Sequence, residues 1–339
     1  MRVIQVKYNK LLSDLIDRSN NIVLVCHHNP DGDAIGSMVG FNRYLEHLGK
    51  PAVMVSPNSI QDFLLWMKGT ESIIVSEKEP GKAVKHIREA DLIIMLDFNS
   101  IDRSGNIKNH IRTSDARKIL IDHHPDPDID VDLLISEPQF SSTAELVFLL
   151  VNKMDDKFCI DKQFMEAVFV GMMTDTGNFS FGTFNGDTLR KVAVMLDNGL
   201  DKDSIVSNVY DNFLINRLRL QGFATYERLV YLEEHSTAYI YLNRADLQRF
   251  RHKVGDTEGF VNIPLSVKGI ILSALFIEKE DHIKISLRSK GDFNVNTFAA
   301  EYFDGGGHKN AAGGRYAGTM NECLEYFEKL LGKLEELKS

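Results

Sequence analysis

VLVCHHNPDGDAIGSMVG, residues 23–40, runs from an apolar, β-branched segment into His27, Asp31 and Asp33, and then into a helical pattern. Ile22–Cys26 reads as a buried strand, and the small and apolar residues of Ala34–His47 read as a helix. A strand passing through a short turn into a helix is the repeating piece of a parallel sheet covered by helices. The turn itself is the unusual part. Carboxylates held close together repel one another and resist burial, so a cation is needed to gather them there.

Outward from this stretch, the first half of the chain keeps the same alternation. Ala52–Val55, Leu92–Leu96 and Lys118–Ile121 read as further strands, and Lys10–Arg18, Ala83–Glu89, Ser142–Met154 and Lys162–Met173 as helices. Ser142 followed three residues later by Glu145 is a capping-box signal. From Asp187 to Leu232 the pattern is helical without strands, with apolar spacing through Val206, Val209, Phe213, Leu214 and Leu218. Strand-like runs return at Ala238–Leu242, Ile270–Ile277 and His282–Leu287, followed by a glycine cluster at Gly305–Gly307. Leu324, Phe327, Leu331 and Leu334 mark a last amphipathic helix. The expected organisation is an α/β chain with a parallel-sheet domain over 1–186, a helical connector over 187–234 and a smaller α/β domain over 235–339.

At 339 residues the chain is too long for one ordinary core, which accords with two domains. No apolar stretch approaches the roughly 20 residues of a membrane span, and Met1 is not followed by a basic and then apolar signal region. Cys26, Cys159 and Cys323 are odd in number and widely spaced, so they make no disulfide framework and point to a cytoplasmic protein. Cys26 adjoins the acidic turn but reads as a core thiol on the strand. The formal net charge of −9 and the lack of any Lys/Arg block argue against wrapping long nucleic acid. A phosphate-bearing substrate would then be small.

In a parallel α/β sheet, ligands bind beyond the carboxyl ends of the strands. Asp97 follows the strand in LIIMLDFNS, Asp122, His123 and His124 follow the strand in LIDHHPDP, and Asp175 ends an apolar helix in GMMTDTGNFS. Any one of these could be a helix cap or a structural residue. Together with His27, Asp31 and Asp33 they converge on one edge, where a divalent cation is needed to offset their repulsion. Mixed carboxylate and imidazole donors suit Mn²⁺, with Mg²⁺, Co²⁺ and Zn²⁺ as alternatives. The ligand count fits two ions, the arrangement that serves in-line displacement at phosphorus. By contrast Asp126, Asp128, Asp130 and Glu137 match the acidic offsets of a calcium loop, but Val131 stands where the turn needs glycine. That segment reads as a solvated loop.

HHNPDGDAIGS, LDFNS, IDHHPD and TDTGNFSF occur in order, followed by LRSKGDFNVNTFAAEYFDGGGHKNAAGG. In these motifs the chain resembles the DHH–DHHA1 phosphoesterase superfamily over nearly its whole length, and among its members the nano-RNase/pAp-phosphatase (NrnA-like) oligoribonucleases. The resemblance implies a DHH and a DHHA1 domain with the active site in the cleft between them. It implies His27, Asp31 and Asp97 around one metal ion, and Asp33, Asp97, His123 and Asp175 around a second, with Asp97 bridging. Asp122 would orient an imidazole and His124 would face the substrate phosphate. Arg288, Ser289, Gly306, Gly307 and His308 would contact substrate, with Lys309 and Arg315 as weaker candidates, while His28 and Phe179 read as structural. The implied activity is hydrolysis of short oligoribonucleotides to mononucleotides and of pAp to AMP, with two ions, Mn²⁺ foremost. The partners implied are short single-stranded RNA or a small nucleotide, with no long nucleic acid and no membrane, and a homodimer is allowed.

A soluble cyclic-dinucleotide or linear dinucleotide phosphodiesterase would share the metal site and remains the alternative. A long-strand exonuclease would want a more basic groove, and an inorganic pyrophosphatase would not need SLRSK and GGGHKNAAGG. A nucleotide-binding protein without catalysis is disfavoured, because every ligand position holds a competent residue.

Overall fold

A computed structural model of the chain describes residues 6–180 and 182–336, with side chains described over 8–180 and 182–332. The chain divides into two compact units, Met1–Asn212 and Phe213–Ser339.

The first unit contains α1 (Val6–Arg18), β1 (Ile22–Val25), α2 (Gly32–His47), β2 (Val53–Ser56), β3 (Ile74–Val75), α3 (Pro80–Glu89) and β4 (Leu92–Leu96). It continues through α4 (Lys108–Arg112), β5 (Arg117–Asp122), β6 (Leu133–Ser136), α5 (Thr143–Met154), α6 (Lys162–Asp175), α7 (Gly186–Asp197) and α8 (Lys202–Tyr210). The six strands form one sheet in the order β3-β2-β1-β4-β5-β6, and every pair is parallel. Central strands such as IVLV and LIIML are buried at every position, as a sheet covered on both faces requires. Ile22, Leu24, Ile94 and Leu96 face α2, α5 and α6 in one core, while Val23, Val25, Ile93 and Met95 face Ala83 and Ile87 of α3 in another.

This strand order reverses direction between β1 and β4. The crevice at their carboxyl ends is the place where open α/β sheets bind ligands. Helices α2 and α6 cross beside it at close range: a Cβ on Gly36 would lie 2.4 Å from the Ala167 carbonyl oxygen. Only glycine permits that approach.

The second unit comprises α9 (Ile215–Glu227), β7 (Leu229–Leu232), β8 (Thr237–Leu242), α10 (Arg244–Arg249) and β9 (Leu272–Glu278). It ends with β10 (Ile283–Ser289), α11 (Val295–Tyr302), β11 (Gly306–His308), β12 (Ala311–Tyr316) and α12 (Met320–Glu336). Its sheet runs β11-β12-β10-β9-β8-β7 and is antiparallel except for the β8–β9 pair. Phe276, Phe298, Phe303 and Phe327 fill one core, and Leu220, Ala224, Ile240 and Leu275 fill another. Leu334, expected on the last amphipathic face, lies outside the described side chains.

Five strands escape the sequence pattern, two of them the glycine-rich pair β11 and β12. β3 is only two residues long, and β6 lies at the sheet edge with alternating exposure. The stretch expected to be helical throughout contains β7, which pairs with β8; its residues are half-buried or exposed, so it lacks the dense apolar run of a central strand. Of the same stretch, α7 and α8 belong to the first unit, and α9 and β7 to the second. The acidic loop before β6 makes a bridge from Asp128 to Ser100. Among the described residues, no helix is long and apolar enough to cross a membrane.

Candidate metal centre

His27 leaves the end of β1 with its ring buried. Its Nδ1 lies 2.9 Å from the His28 carbonyl oxygen, which can only accept, so Nδ1 carries the proton. The lone pair on Nε2 then faces Asp97 Oδ2 at 3.5 Å and Asp31 Oδ2 at 3.8 Å, and Nε2 has no hydrogen-bond partner. A buried acceptor aimed at carboxylate oxygens is a stable arrangement only around a cation or a proton. Burial opposes a charge on this ring, but the Asp31 and Asp97 carboxylates outweigh it and push the imidazole up to about 9.

Asp31 caps α2, its Oδ1 accepting from the Asp33 and Ala34 N–H groups at 3.0 and 3.1 Å, which leaves Oδ2 toward His27. Although burial favours the neutral acid, His27 and these N–H groups hold Asp31 well below the usual carboxylate range. Asp33 points the other way and sits on the N-terminus of α5. Its Oδ2 accepts from Thr143 N at 2.7 Å and its Oδ1 from Ala144 N at 2.8 Å. Burial first, and then the charges of Asp97, Asp175 and Asp31, drive its carboxyl well above the ordinary value.

Asp97 joins the two sides. It follows β4 in the left-handed backbone region, at φ +69°, a conformation unusual for a residue with a side chain. Its Oδ2 faces His27, while its Oδ1 lies 3.7 Å from His123 Nε2 and accepts from Thr143 Oγ1 at 2.9 Å. His123 repeats the logic of His27: Nδ1 donates to the Phe140 carbonyl oxygen at 3.3 Å, and Nε2 faces Asp175 Oδ2 at 3.5 Å and Asp33 Oδ2 at 3.7 Å. Burial works against a charge on this ring too, yet Asp175 and Asp97 raise it. His27, Asp31 and Asp97 thus offer ligand atoms within 4.8 Å of one another, as do Asp33, His123 and Asp175, and Asp97, Asp122 and His124. Carboxylate oxygens, imidazole nitrogens with their lone pairs turned inward, and an orphaned buried Nε2 fit divalent metal ions.

Residues 21–172 match the DHH family, N-terminal domain, and residues 240–337 match the DHHA1 domain. The chain belongs to the DHH family. The bifunctional oligoribonuclease and PAP phosphatase NrnA of Bacillus subtilis is 25% identical over 295 residues, covering 87% of this chain and 88% of that protein. The crystal structure of an exopolyphosphatase-related protein from Bacteroides fragilis is 40% identical, covers 99% of both chains and superposes with a TM-score of 0.93. The cyclic-di-AMP phosphodiesterase PdeA of Listeria monocytogenes is 27% identical over 90% of this chain but only 46% of its own length.

Within the DHH domain, His124 has both ring nitrogens engaged. Nδ1 donates to Asp122 Oδ1 at 2.7 Å, and Nε2 accepts from Arg103 Nη1 at 3.1 Å. Burial, followed by the charges of His123 and Arg103, keeps this ring well below the ordinary imidazole value, and so neutral. Cys26 also stays neutral, burial pushing its thiol up to about 12. Among the residues expected to be structural, His28 has its ring 3.8 Å from Glu77, and Phe179 packs against Phe169 and Phe184.

In the DHHA1 domain, Arg288 and Ser289 end β10, and the buried Ser289 hydroxyl donates to the Phe293 carbonyl oxygen at 2.6 Å. The glycine cluster forms a hairpin, with β11 pairing to β12 so that His308 lies opposite Ala311. A Cβ on Gly305 would stand 2.0 Å from the Gly313 carbonyl oxygen, and the Gly307 N–H already donates to Asn296 Oδ1 at 2.7 Å. Close backbone packing therefore accounts for these two glycines. Gly306, the other glycine of this strand, pairs with Gly313. Lys309 and Arg315 pair with Asp292 and Asp304.

Sequence reasoning missed several contributors, the Phe140 carbonyl that orients His123 among them. Thr143 bonds two of the site carboxylates, and the capping signal at Ser142 was the available hint. That signal held only in part: Ser142 accepts from Glu145 N at 3.0 Å, but the Glu145 carboxylate accepts from Ser141 and pairs with buried Lys191 at 2.9 Å instead of closing the box. Gly171 was missed because a Cβ there would meet Asp33 Oδ1 at 2.8 Å, a tertiary fact. Arg103 lies six residues past Asp97 in a 3₁₀ turn, and no spacing rule reaches it.

Proposed function

We propose that this DHH-family chain is a metal-dependent phosphoesterase that hydrolyses short oligoribonucleotides to mononucleotides and pAp to AMP. The observation that carries the reading is Asp97, whose two oxygens face His27 on one side and His123 on the other. A carboxylate placed this way suits a pair of ions held by His27, Asp31 and Asp97, and by Asp33, Asp97, His123 and Asp175. Mn²⁺ matches the mixed donor set. Bound divalent ions lower the pKa of water toward neutrality and offset charge growing on phosphoryl oxygens.

The chain's own residues prepare that chemistry. The His28 and Phe140 carbonyls fix the tautomers of His27 and His123, and the α5 N-terminus holds Asp33 without a cation of its own. In this reading residues 1–186 form the catalytic domain, 187–234 a connector, and 235–339 the substrate domain. Arg288, Ser289, Gly306, Gly307 and His308 of the substrate domain contact the substrate. The short, local set of cations agrees with a small substrate for a chain of net charge −9. Three free, buried cysteines accord with a cytoplasmic location. The oligoribonuclease reading is preferred to cyclic dinucleotides because the match spans most of NrnA and under half of PdeA.

The test is mononucleotide release from a 5′-phosphorylated RNA dinucleotide and phosphate release from pAp, both with Mn²⁺ and with His123→Ala as control. Turnover that disappears in the variant is expected. A wild-type chain that cleaves inorganic polyphosphate or a cyclic dinucleotide, and neither of these substrates, would overturn the substrate assignment.

A further inference from the structure

We propose that Arg103 is the phosphate-binding cation of the DHH domain, and that Asp122 and His124 act on the substrate through it. This inference rests on the phosphoesterase reading and assigns a contact to a residue that no motif singled out.

Arg103 sits in the 3₁₀ turn Ile101–Ile107 that follows β4. Its backbone is bonded within this turn and to the segment that follows β1. The Arg103 carbonyl accepts from His28 N at 2.6 Å, and its N–H donates to the Ser100 carbonyl at 3.0 Å. The side chain therefore rises from a fixed base beside the carboxylates. An arginine in so acidic a place is expected to close on one of them. Among the described residues it makes no ion pair with a carboxylate within 4 Å, and its one side-chain hydrogen bond runs from Nη1 to His124 Nε2 at 3.1 Å.

That bond settles the role of the second histidine. A guanidinium only donates, so Nε2 accepts and Nδ1 carries the proton that goes to Asp122 Oδ1 at 2.7 Å. Asp122 and His124 form a neutral-ended strut that holds the guanidinium by one N–H. The rest of its planar fork remains to grip phosphoryl oxygens in the bidentate manner that suits arginine. Had Asp122 met Arg103 directly, its charge would have been consumed. The imidazole spacer fixes the cation without neutralising it.

The experiment compares Arg103→Ala, Arg103→Lys, His124→Asn and the Arg103→Ala/His124→Asn double variant with wild type. It uses pAp kinetics, Mn²⁺ affinity by electron paramagnetic resonance, and AMP binding to the Mn²⁺-loaded protein by calorimetry. Losing a charged hydrogen-bond donor should lower kcat/KM and AMP affinity by about 10- to 100-fold. Mn²⁺ affinity should stay within about twofold, and lysine should restore part of the loss. Because His124 acts through Arg103, the double variant should be no worse than Arg103→Ala, a non-additivity expected of groups that work as one. Unchanged AMP affinity in Arg103→Ala, or a loss matched by weaker Mn²⁺ binding, would overturn the inference. A wild type that hydrolyses neither pAp nor RNA dinucleotide defeats the functional reading instead, and the AMP titration still decides the role of Arg103.

Discussion

Asp31 and Asp33 stand two residues apart at the start of one helix, and the fold treats them in opposite ways. Each accepts two backbone N–H groups at a helix N-terminus, Asp31 from its own helix α2 and Asp33 from α5. Yet Asp31 is held well below the ordinary carboxylate value while Asp33 is driven well above it. The Asp31 side chain keeps half its surface open and lies against His27; Asp33 is 1% exposed and shares its space with Asp97 and Asp175. The backbone bonds are matched, and Asp33 has the Ser37 hydroxyl at 3.3 Å besides, so the outcome is left to burial and to the sign of the nearest charge. The carboxylates facing His27 are thus favoured as anions without a metal ion, and Asp33 is not.

Asp97 is where this contrast can be broken most decisively, because it belongs to both sides. Asp97→Ala should reduce Mn²⁺-dependent turnover by more than about 100-fold, beyond what loss of a supporting residue costs a metal site. Metal analysis of the purified variant should show both ions weakened. Near-wild-type turnover would mean that the two sides are independent.

The pH dependence of the metal-free protein tests the contrast itself. His27 titrates near 6.5 when unfolded and at about 9 in the fold, so its stabilising contribution is complete below pH 6.5 and is lost as pH rises through 9. That shift corresponds to about 3 kcal/mol. Asp33, also raised, likewise loses stability as pH rises above the ordinary carboxylate range. Asp31 has the opposite sign, contributing above that range and losing its contribution on acidification. Thermal melts without metal should therefore fall from pH 6.5 to 9, and a divalent cation should flatten the fall. At pH 8 Asp33→Asn should raise the metal-free melting temperature and Asp31→Asn should lower it. Shifts of the same sign would show that the two carboxylates share one environment.

A smaller effect comes from the floor beneath Asp33. A Cβ on Gly171 would meet Ala144 Cβ at 2.5 Å as well as the Asp33 carboxylate. Gly171→Ala should cost about 1–3 kcal/mol of stability through overpacking. Chemical denaturation measures this directly, and the metal affinity of the Asp33 side should fall with it while that of the His27 side holds.

The parts of this site visible in the sequence share one property: they follow apolar strands or end an apolar helix. The segments before His27, Asp97 and His123 are apolar on both faces, so their ends mark the sheet edge where ligands gather. The residues that shape the site's electrostatics are not marked in that way. Thr143, Phe140 and Gly171 act through a backbone N–H, a carbonyl and a missing Cβ, which any pattern of side-chain types passes over. β3, β6 and β7 were missed for a related reason, since short or half-exposed edge strands carry little apolar periodicity. The DHHA1 glycines were legible as a cluster, but the hairpin that spends the Gly307 N–H on Asn296 is a tertiary outcome.

Thr143 offers the finest way to separate the two sides. Its N–H serves Asp33 and its hydroxyl serves Asp97, so one residue touches both through different atoms. Thr143→Val keeps the backbone bond and the side-chain shape but removes the hydroxyl donor from Asp97 Oδ1. Outer partners of metal ligands typically contribute 10- to 100-fold in affinity, and the loss of one neutral donor should lie near the lower end, about tenfold. The loss should appear in Mn²⁺ titrations, while the pH-dependent melting attributed to Asp33 stays as it was. Thr143→Ser, which retains the hydroxyl, should bind Mn²⁺ as wild type does. If valine and serine behave alike, the Asp33 contact alone explains the position of this residue, and Asp97 is held by its strained backbone.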